Sequence, residues 1–516
     1  MTLFTIGPVQ SFIEKARKLQ DLYAGSYLLS YLSRRTMLEA QRQGARVIFP
    51  DPGQESAPNR FLMTVDSENT GALRIFCDEL GKYVRSQWEE IARTVFAEAK
   101  LDYSDSARRQ IRALPQVFYA SEPYRGGEDF GKCYINVIKR LGSAKTLREF
   151  IQLDEPYGRK CNLMYEYNAL FYREKRGHLV REAQAVTDVN IPAYKLDKYI
   201  QIGETLSAPA FVKRCLNFSL QKFDDKFPSV TDVYEMYGDK LKTGDKHGYY
   251  TIVMFDGDNM GMWYSEPKIR DKSQIEEFQG DLSRKISEFA AEKSRAIVDW
   301  SKRKNGALIY AGGEDFLGAL NLRSVFPALK ELRAAFGKIV DSTKYMDEKL
   351  TFSAGVVIAH VRAPLAEALR MAREAEAKAK SYPGKDAYCL TVAKHSGEVT
   401  EFVQPFFYDG NSSLDTLDRL VEVIADEKLS PKFIYQLGTE LARIAETDNR
   451  TLQTEIFLIE AERILRHSEF PNPAKREETI KEVCDILQQM SPHTDLKNLL
   501  MYLRAVAFIA RERGAA

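Results

Sequence analysis

Apolar and polar positions alternate in the same order twice along this chain, short β-type runs giving way to long helical stretches. The first pass opens with a strand at Leu3–Ile6, broken by Gly7-Pro8. A helical pattern then runs from about Val9 to Ala40, with an interruption expected near Gly25. Two short strands follow, Ala45–Phe49 and Phe61–Val65, on either side of a loop containing Asp51-Pro52-Gly53 and Pro58-Asn59-Arg60; a second helix is predicted from Thr70 to Ile111. Strand, helix, two strands, helix is the order of a ferredoxin-like unit. Residues 112–247 are less regular and rich in Tyr, Lys and Arg, and read as a mixed helical insertion.

From Gly248 the order returns with stronger signals. Tyr249–Phe255 is a continuous β-type run, followed by a helix over Gln274–Lys302 and strands at Ala307–Ala311 and Phe316–Leu322 around a Gly312-Gly313 turn. A helix at Val325–Asp341, a strand at Leu350–Ala359, a helix at Pro364–Ser381 with proline at its first position, and a last strand at Ala387–Ala393 complete the unit. Beyond Asn411 only helical spacing remains: Leu414, Leu417, Val421 and Ile424 recur behind Ser412 and Ser413. Further helices are expected at Pro431–Glu446, Leu452–His467, Lys475–Gln489 and Asp495–Arg511. The fold class is therefore α/β (α+β). The predicted domains are a first unit at 1–111, an insertion at 112–247, a second unit at 248–405 and a helical bundle at 406–516.

Composition narrows the function without naming it. At 516 residues, three or four domains are expected. Lys and Arg total 74 against 73 Asp and Glu, so a net charge of +1 supplies no global field for nucleic acid or membrane. No apolar run is long enough to span a membrane, and a cytoplasmic chain is expected. The six cysteines include no CxxC pair and read as packed thiols. No histidine is followed by aspartate and no HExxH occurs, which removes most of the case for a zinc hydrolase or a His–Asp nuclease.

The chemistry concentrates in two segments. Ile252-Val-Met-Phe-Asp256-Gly257-Asp258-Asn259-Met260-Gly261 delivers carboxylates at the end of a buried strand, with glycines that let backbone approach a ligand. Leu308-Ile-Tyr-Ala-Gly312-Gly313-Glu314-Asp315 places two acids on a tight turn. In a ferredoxin-like sheet the two segments are neighbours, so Asp256, Glu314 and Asp315, with Asp258 as a further ligand candidate, converge on one point. Clustered hard oxygens suit Mg²⁺ or Mn²⁺, and a pair of such ions serves phosphoryl displacement. An EF-hand reading fails at Met260 and Pro267, and no Gly-Lys-Ser/Thr supports a Walker A loop. Gly126-Gly127-Glu128-Asp129 repeats the four letters without a strand before it and reads as an ordinary loop. The first unit has no acid at the end of its opening strand. Gly7, Gln10, Arg17, Asp21, Gly25, Ser26, Asn59 and Arg60 remain as candidates there for a second nucleotide. Lys380 and Lys385 are candidates for phosphate oxygens, whereas Arg370 and Arg373 read as a solvated face or as ion-pair partners of Glu367, Glu374 and Glu376.

Several of these stretches resemble one family. Ile6-Gly-Pro-Val-Gln-Ser-Phe-Ile-Glu-Lys-Ala-Arg-Lys-Leu-Gln-Asp-Leu-Tyr-Ala-Gly-Ser-Tyr-Leu-Leu-Ser30, Pro58-Asn-Arg-Phe-Leu62, Asp256-Gly-Asp-Asn-Met-Gly261, Gly312-Gly-Glu-Asp315 and Ser353-Ala-Gly-Val-Val-Ile-Ala-His360 are similar to segments of the large subunit of type III-B (Cmr-type) CRISPR effector complexes. The resemblance implies two palm domains of the nucleotide-cyclase/polymerase type facing each other across two ATP molecules. It implies partners too: other Cmr-type subunits, with guide RNA and target RNA bound through the complex. The implied reaction joins ATP into cyclic oligoadenylates, the 3′-hydroxyl of one ATP attacking the α-phosphate of another with loss of pyrophosphate. Asp256, Glu314 and Asp315 would hold the metals, while Gly257, Asn259, Gly312, Gly313 and Ser353 would line the donor ATP.

Three departures qualify it. This chain shows no histidine–aspartate nuclease motif, so DNA cleavage is not expected. The family's usual Gly-Gly-Asp-Asp is Gly-Gly-Glu-Asp here. A four-cysteine zinc site of many relatives is reduced to Cys161, so no zinc is expected there. The alternatives are an adenylate conjugate made from ATP and S-adenosylmethionine, a non-catalytic scaffold, and a diguanylate-cyclase-like enzyme, which normally draws its second nucleotide site from another chain.

Overall fold

The structure, a computed structural model, describes residues 1–53, 57–67, 69–126, 130–146, 155, 158–173, 179–180, 200–220, 227–240, 247–265, 274–340, 349–425, 429–441, 450–470 and 473–514. Most of the Gly126–Asp129 loop and Pro267 lie outside these residues.

Strands β1 (Thr2–Gly7), β2 (Arg46–Phe49), β3 (Arg60–Thr64) and β4 (Gln116–Ser121) form an antiparallel sheet in the order β2-β3-β1-β4. The first unit thus extends past the expected boundary at 111, because β4 pairs along all of β1, from Thr2 opposite Ser121 to Gly7 opposite Gln116. Five of β4's six residues are exposed or half-buried, so its apolar signal is weak. The helix expected to break near Gly25 instead breaks earlier. A single turn, Gln10–Ile13, precedes an unbroken helix Leu19–Arg42 that contains Gly25. The second helix stops at Glu98 and restarts at Asp105, where the Ser104 hydroxyl accepts from the Ala107 amide (3.3 Å). Within the insertion, β5 (Phe171–Arg173), β6 (Leu179–Val180) and β7 (Thr205–Leu206) make a small sheet, and helix Ala208–Leu220 packs on the first unit.

The second sheet has six strands: β8 (Tyr249–Gly257), β9 (Gly306–Gly312), β10 (Asp315–Asn321), β11 (Phe352–His360), β12 (Ala387–Ala393) and β13 (Val399–Pro405), ordered β13-β12-β11-β8-β10-β9. The unit does not end at β12, since β13 adds an edge from Ala387 opposite Pro405 to Ala393 opposite Val399. The helix expected over Gln274–Lys302 ends at Ile297 and contains a π-helical turn at Phe289–Lys293. Pro364 caps helix Leu365–Lys380 from outside and is not its first helical residue. That helix presents Ala368, Ala372, Ala375 and Ala379, all buried, to the sheet. Contact is so close that a β-carbon on Gly355 of β11 would fall 2.2 Å from the Ala372 carbonyl oxygen. This packing fixes where the helix ends, and therefore where Lys380 stands.

One apolar core runs through both units, joining Phe4, Leu28 and Phe61 of the first to Ile252, Ile309 and Val357 of the second. Helix Leu19–Arg42 lies along β9. Polar ties add to the seam: Arg46 pairs with Glu276, Arg373 with Glu14, and the Tyr124 hydroxyl donates to Glu276 (2.8 Å). The helices Ser413–Ala425, Lys432–Leu441, Arg450–His467, Arg476–Met490 and Leu496–Gly514 form the C-terminal bundle, whose last helix packs on β13. Among the described residues no helix is long and apolar enough to cross a membrane.

Candidate active site at the second palm

Sheet register brings the distant acids together. Phe316 of β10 lies opposite Phe255 of β8, so Asp315 and Asp256, one residue further along each strand, meet at one sheet end. Phe255 is clamped between Phe316 and Phe352 (ring centroids 4.6 and 3.8 Å), which holds the strand end in place. Asp315 opposite Gly312 closes the Gly313-Glu314 turn. Gly313 has φ +64°, a left-handed conformation that glycine adopts freely. Gly312 is needed for space: a β-carbon there would sit 2.5 Å from the Tyr310 hydroxyl oxygen, and that hydroxyl donates to the Gly312 carbonyl (3.1 Å). A β-carbon on Gly257 would meet Met260 Cγ at 2.7 Å and Glu314 Cβ at 3.0 Å.

Crowding of like charge defines the electrostatics. Asp315 is in hydrogen-bonding contact with Asp256, and its carboxyl is pushed well above the usual range by the protein around it and by the charges of Asp256 and Glu314. Its own side chain is exposed, so carboxylate crowding, more than burial, is the cause that the geometry supports. Burial and Asp256 likewise raise Glu314, with Arg60 and Lys380 opposing. Lys380 forms an ion pair with Asp256 and reaches Glu376 at 3.1 Å. Among the described residues no three acidic, imidazole or thiol groups form a finished metal cage. The donor set nevertheless fits a hard divalent cation: three carboxylates crowd two adjoining strand ends, and a cation among them would relieve the repulsion that raises Glu314 and Asp315.

Other sequence candidates divide. Asp258 is engaged by other partners. It is 2% exposed, and its carboxylate accepts from Ser353 Oγ (2.8 Å), Thr351 Oγ1 (2.8 Å) and the Asp386 amide (3.0 Å). The metal-ligand expectation for Asp258 is thus corrected: three donors already satisfy it inside the fold. Ser353 is fully buried on the same bond and is not available to line a nucleotide. Asn259, at φ +55°, accepts from Lys385 Nζ (2.7 Å), and Gly261 lies in helix Met260–Ser265 with open space at its β-carbon position. Arg370 pairs with Glu367 and Glu374 as expected, whereas Arg373 crosses to Glu14 of the first palm.

In the first palm, Gly7 ends β1, Gln10 begins the following turn and Arg17 is exposed. Asp21 is a correction: it is buried on Arg214, away from any ligand. Gly25 is a second one, because Lys213 Cε would lie 2.8 Å from a β-carbon there; that glycine makes room for a lysine, not for a nucleotide. Asn59 braces β1 by donating to Thr5 Oγ1 and the Ile6 carbonyl (3.0 Å each). A β-carbon on Gly313 would lie 3.9 Å from Pro58, and Arg60 projects its charge onto Glu314, so this loop faces the acid turn directly. Ser26 lines a cavity of about 540 Å³ with Tyr23, Tyr27, Phe227, Trp300 and Tyr310. Sequence reasoning missed this cavity and Lys145, whose ammonium is pushed down by burial and by Arg60. Tyr23, Ser26 and Tyr27 share one helix inside the Ile6–Ser30 stretch, but Phe227, Trp300 and Tyr310 come from distant segments that no motif links to it.

Two ferredoxin-like sheets share one apolar core, and among the described residues it is the second that gathers acids from adjoining strand ends: the fold and site define a tandem-palm protein of the nucleotide-cyclase and polymerase type. The family described as CRISPR-associated protein Cmr2, N-terminal, matches residues 1–120, and that described as Cas10/Cmr2, second palm domain, matches residues 249–389. The CRISPR system Cmr subunit Cmr2 of Pyrococcus furiosus is 27% identical over 295 residues, 52% of this chain but only 31% of that protein. Among solved structures, a type III-B Cmr-beta complex in its apo state contains a chain similar over 99% of this one and 82% of its own length (TM-score 0.69, 13% identity). A Csm1–Csm4 cassette in complex with cA4 is similar over 95% of this chain and 69% of that one (TM-score 0.51, 15% identity). The chain belongs to the Cas10/Cmr2 family, the large-subunit family of type III CRISPR effector complexes.

Proposed function

We propose that the chain is a metal-dependent nucleotidyltransferase that converts ATP into a cyclic oligoadenylate, as the large subunit of a Cmr-type complex activated when guide RNA captures target RNA. The observation that carries this reading is the meeting of Asp256, Glu314 and Asp315 beneath a two-glycine turn, opposite Pro58–Arg60 of the other palm. That a Csm1–Csm4 cassette was solved with cA4 supports the choice of product.

Asp256, Glu314 and Asp315 would hold Mg²⁺ or Mn²⁺. The ions would supply charge neutralisation and a more acidic attacking hydroxyl. Gly313 leaves backbone uncovered where phosphate oxygens would lie, and Gly312 makes room for the Tyr310 ring beneath it. Lys380, freed from Asp256 once cations neutralise that carboxylate, would turn to the triphosphate, and Lys385 stands on the same side over Asn259. Arg60 adds positive charge from the first palm, where it would meet the departing pyrophosphate. The cavity lined by Tyr23, Tyr27, Phe227 and Trp300 offers aromatic faces for a second base and reaches the turn through Tyr310.

The assembled complex, given target RNA, Mn²⁺ and labelled ATP with or without S-adenosylmethionine, should yield a cyclic adenylate by product mass. A product containing the methionine moiety would reassign the second substrate. Product formation that survives both Asp256→Ala and Glu314→Ala would make the subunit a scaffold.

A further inference from the structure

Behind the acid cluster lies a buried charged assembly that the reaction scheme does not use. Asp258 takes donors from Thr351 and Ser353, at the start of β11, and from the Asp386 amide, while its own amide donates to the Thr351 carbonyl (2.8 Å). Asp386 in turn receives Arg333, Nη2 to Oδ2 at 2.7 Å, from helix Val325–Phe336, and its carbonyl accepts from the Phe406 amide (2.8 Å). Arg333 is 7% exposed and lies over Phe406 and Phe407 (6.0 and 5.7 Å to the ring centroids). It touches nothing in the cleft, so any effect it has on the site passes through Asp386.

What this assembly restrains is the backbone. Gly384, Lys385 and Asp386 are all left-handed (φ +84°, +58° and +49°), and two of the three carry side chains. Consecutive non-glycine residues in that region persist only where their surroundings over-determine them. Asp258 and Phe406 fix this bend through its backbone, and Arg333 fixes it through the Asp386 carboxylate. The bend brings Lys385 Nζ onto Asn259, itself left-handed and three residues beyond Asp256. An ordinary extended exit from helix Leu365–Lys380 would send that lysine elsewhere.

We propose that Asp258, Asp386 and Arg333 are positioning residues, a buried strut that holds the left-handed Gly384–Asp386 bend so that Lys385 meets a nucleotide phosphate at the rim of the acid cluster. The role rests on the nucleotidyltransferase reading. It also explains why the second acid of the Asp256-Gly-Asp258 motif turns inward: it grips the loop that carries the lysine.

The test is equilibrium dialysis of the full chain with labelled ATP and Mn²⁺, with melting temperatures recorded for each variant. Arg333→Met should raise the ATP dissociation constant about tenfold, the equivalent of one lysine–phosphate contact at about 1.4 kcal/mol per decade. Lys385→Met should do the same, and the double variant should be no worse than Lys385→Met alone. A merely structural role for Arg333 would still weaken binding in the Lys385→Met background, and that result overturns the proposal, as does unchanged affinity in Arg333→Met. Should Arg333→Met fail to fold, Asp258→Asn keeps the side-chain shape and should weaken ATP binding while leaving Mn²⁺ affinity unaltered. A fall in Mn²⁺ affinity would make Asp258 a metal ligand and sink the strut. Wild-type chain that binds no ATP would overturn the functional reading itself, a result distinct from a wild type that binds and variants that do not differ from it.

Discussion

Arg214 joins the insertion to the first palm at a point where no water can help. Its side chain is 1% exposed, and its guanidinium bridges two carboxylates buried to the same degree, Asp21 (Nη2 to Oδ2, 2.8 Å) and Glu204 (Nη1 to Oε2, 2.8 Å). Burial alone would raise the Asp21 carboxyl; the Arg214 charge and hydrogen bonds reverse this and hold it below its usual value. Replacing Arg214 with methionine removes the compensation but not the burial, and breaking a buried pair in this way costs about 3–5 kcal/mol. At about 1.4 kcal/mol per decade, the amides of helix Ala208–Leu220 should exchange roughly 100-fold faster or more in native-state hydrogen exchange followed by mass spectrometry. The sign with pH follows from Asp21. A depressed carboxyl contributes stability above its unfolded value, about 3.9, and loses it as pH falls through the folded value. In the variant Asp21 keeps only the Arg17 amide and the Lys213 charge against its burial and rises, so its penalty shrinks on acidification and the gap to wild type should narrow between pH 7 and pH 5. Removing all three charges together, by Arg214→Met, Asp21→Leu and Glu204→Met in one chain, should recover most of the loss, since apolar replacements need no partner. A change in exchange under about fivefold, or a gap that widens in acid, would refute this account of the triad.

Asp256→Ala and Glu314→Ala should each abolish labelled product from the assembled complex while leaving the melting temperature within a few degrees, because neither side chain is part of the apolar core. Gly313→Ala meets nothing closer than Pro58 at 3.9 Å, so its cost is the left-handed backbone alone, about 1–2 kcal/mol by denaturation. Gly312→Ala must displace the Tyr310 ring and should be the more damaging of the two to both stability and product yield; equal effects would contradict the distinction. Trp300→Ala, which opens the aromatic cavity, should weaken ATP use by about 1–3 kcal/mol as KM with kcat little changed, and an unaltered KM would remove the cavity from the nucleotide path.

Both palms were legible because their signals are local. Tyr249–Phe255 is an uninterrupted β-type run, and Gly312-Gly313 is a turn that few other residues allow. The misplaced boundary at 111 and the strand missed at 399–405 share one cause. β4 and β13 lie at sheet edges, where most positions of each strand are exposed or half-buried and the apolar pattern is thin. Gly25 read as a helix break or a ligand contact, but its missing side chain serves Lys213, a residue from another domain whose ammonium donates to the carbonyls of Ile13 (2.8 Å) and Lys15 (3.1 Å). Asp258 was misread for a related reason. The motif shows an acid in the right place, but not that Thr351, Ser353 and the Asp386 amide have already claimed its oxygens.

From sequence alone, the chain's two ferredoxin-like units, its helical tail and the candidacy of Asp256, Glu314 and Asp315 were determined, because backbone periodicity, glycine at tight turns and acids at strand ends depend on neighbours within a few residues. Which of the candidate side chains face one another was decided only by the tertiary structure. Sheet register carried Asp315 to Asp256, close helix packing on Gly355 set the position of Lys380, and the seam between palms brought Arg60 to Glu314. Electrostatic and hydrogen-bonding partners are chosen through space over a few ångströms, and linear order does not encode those distances.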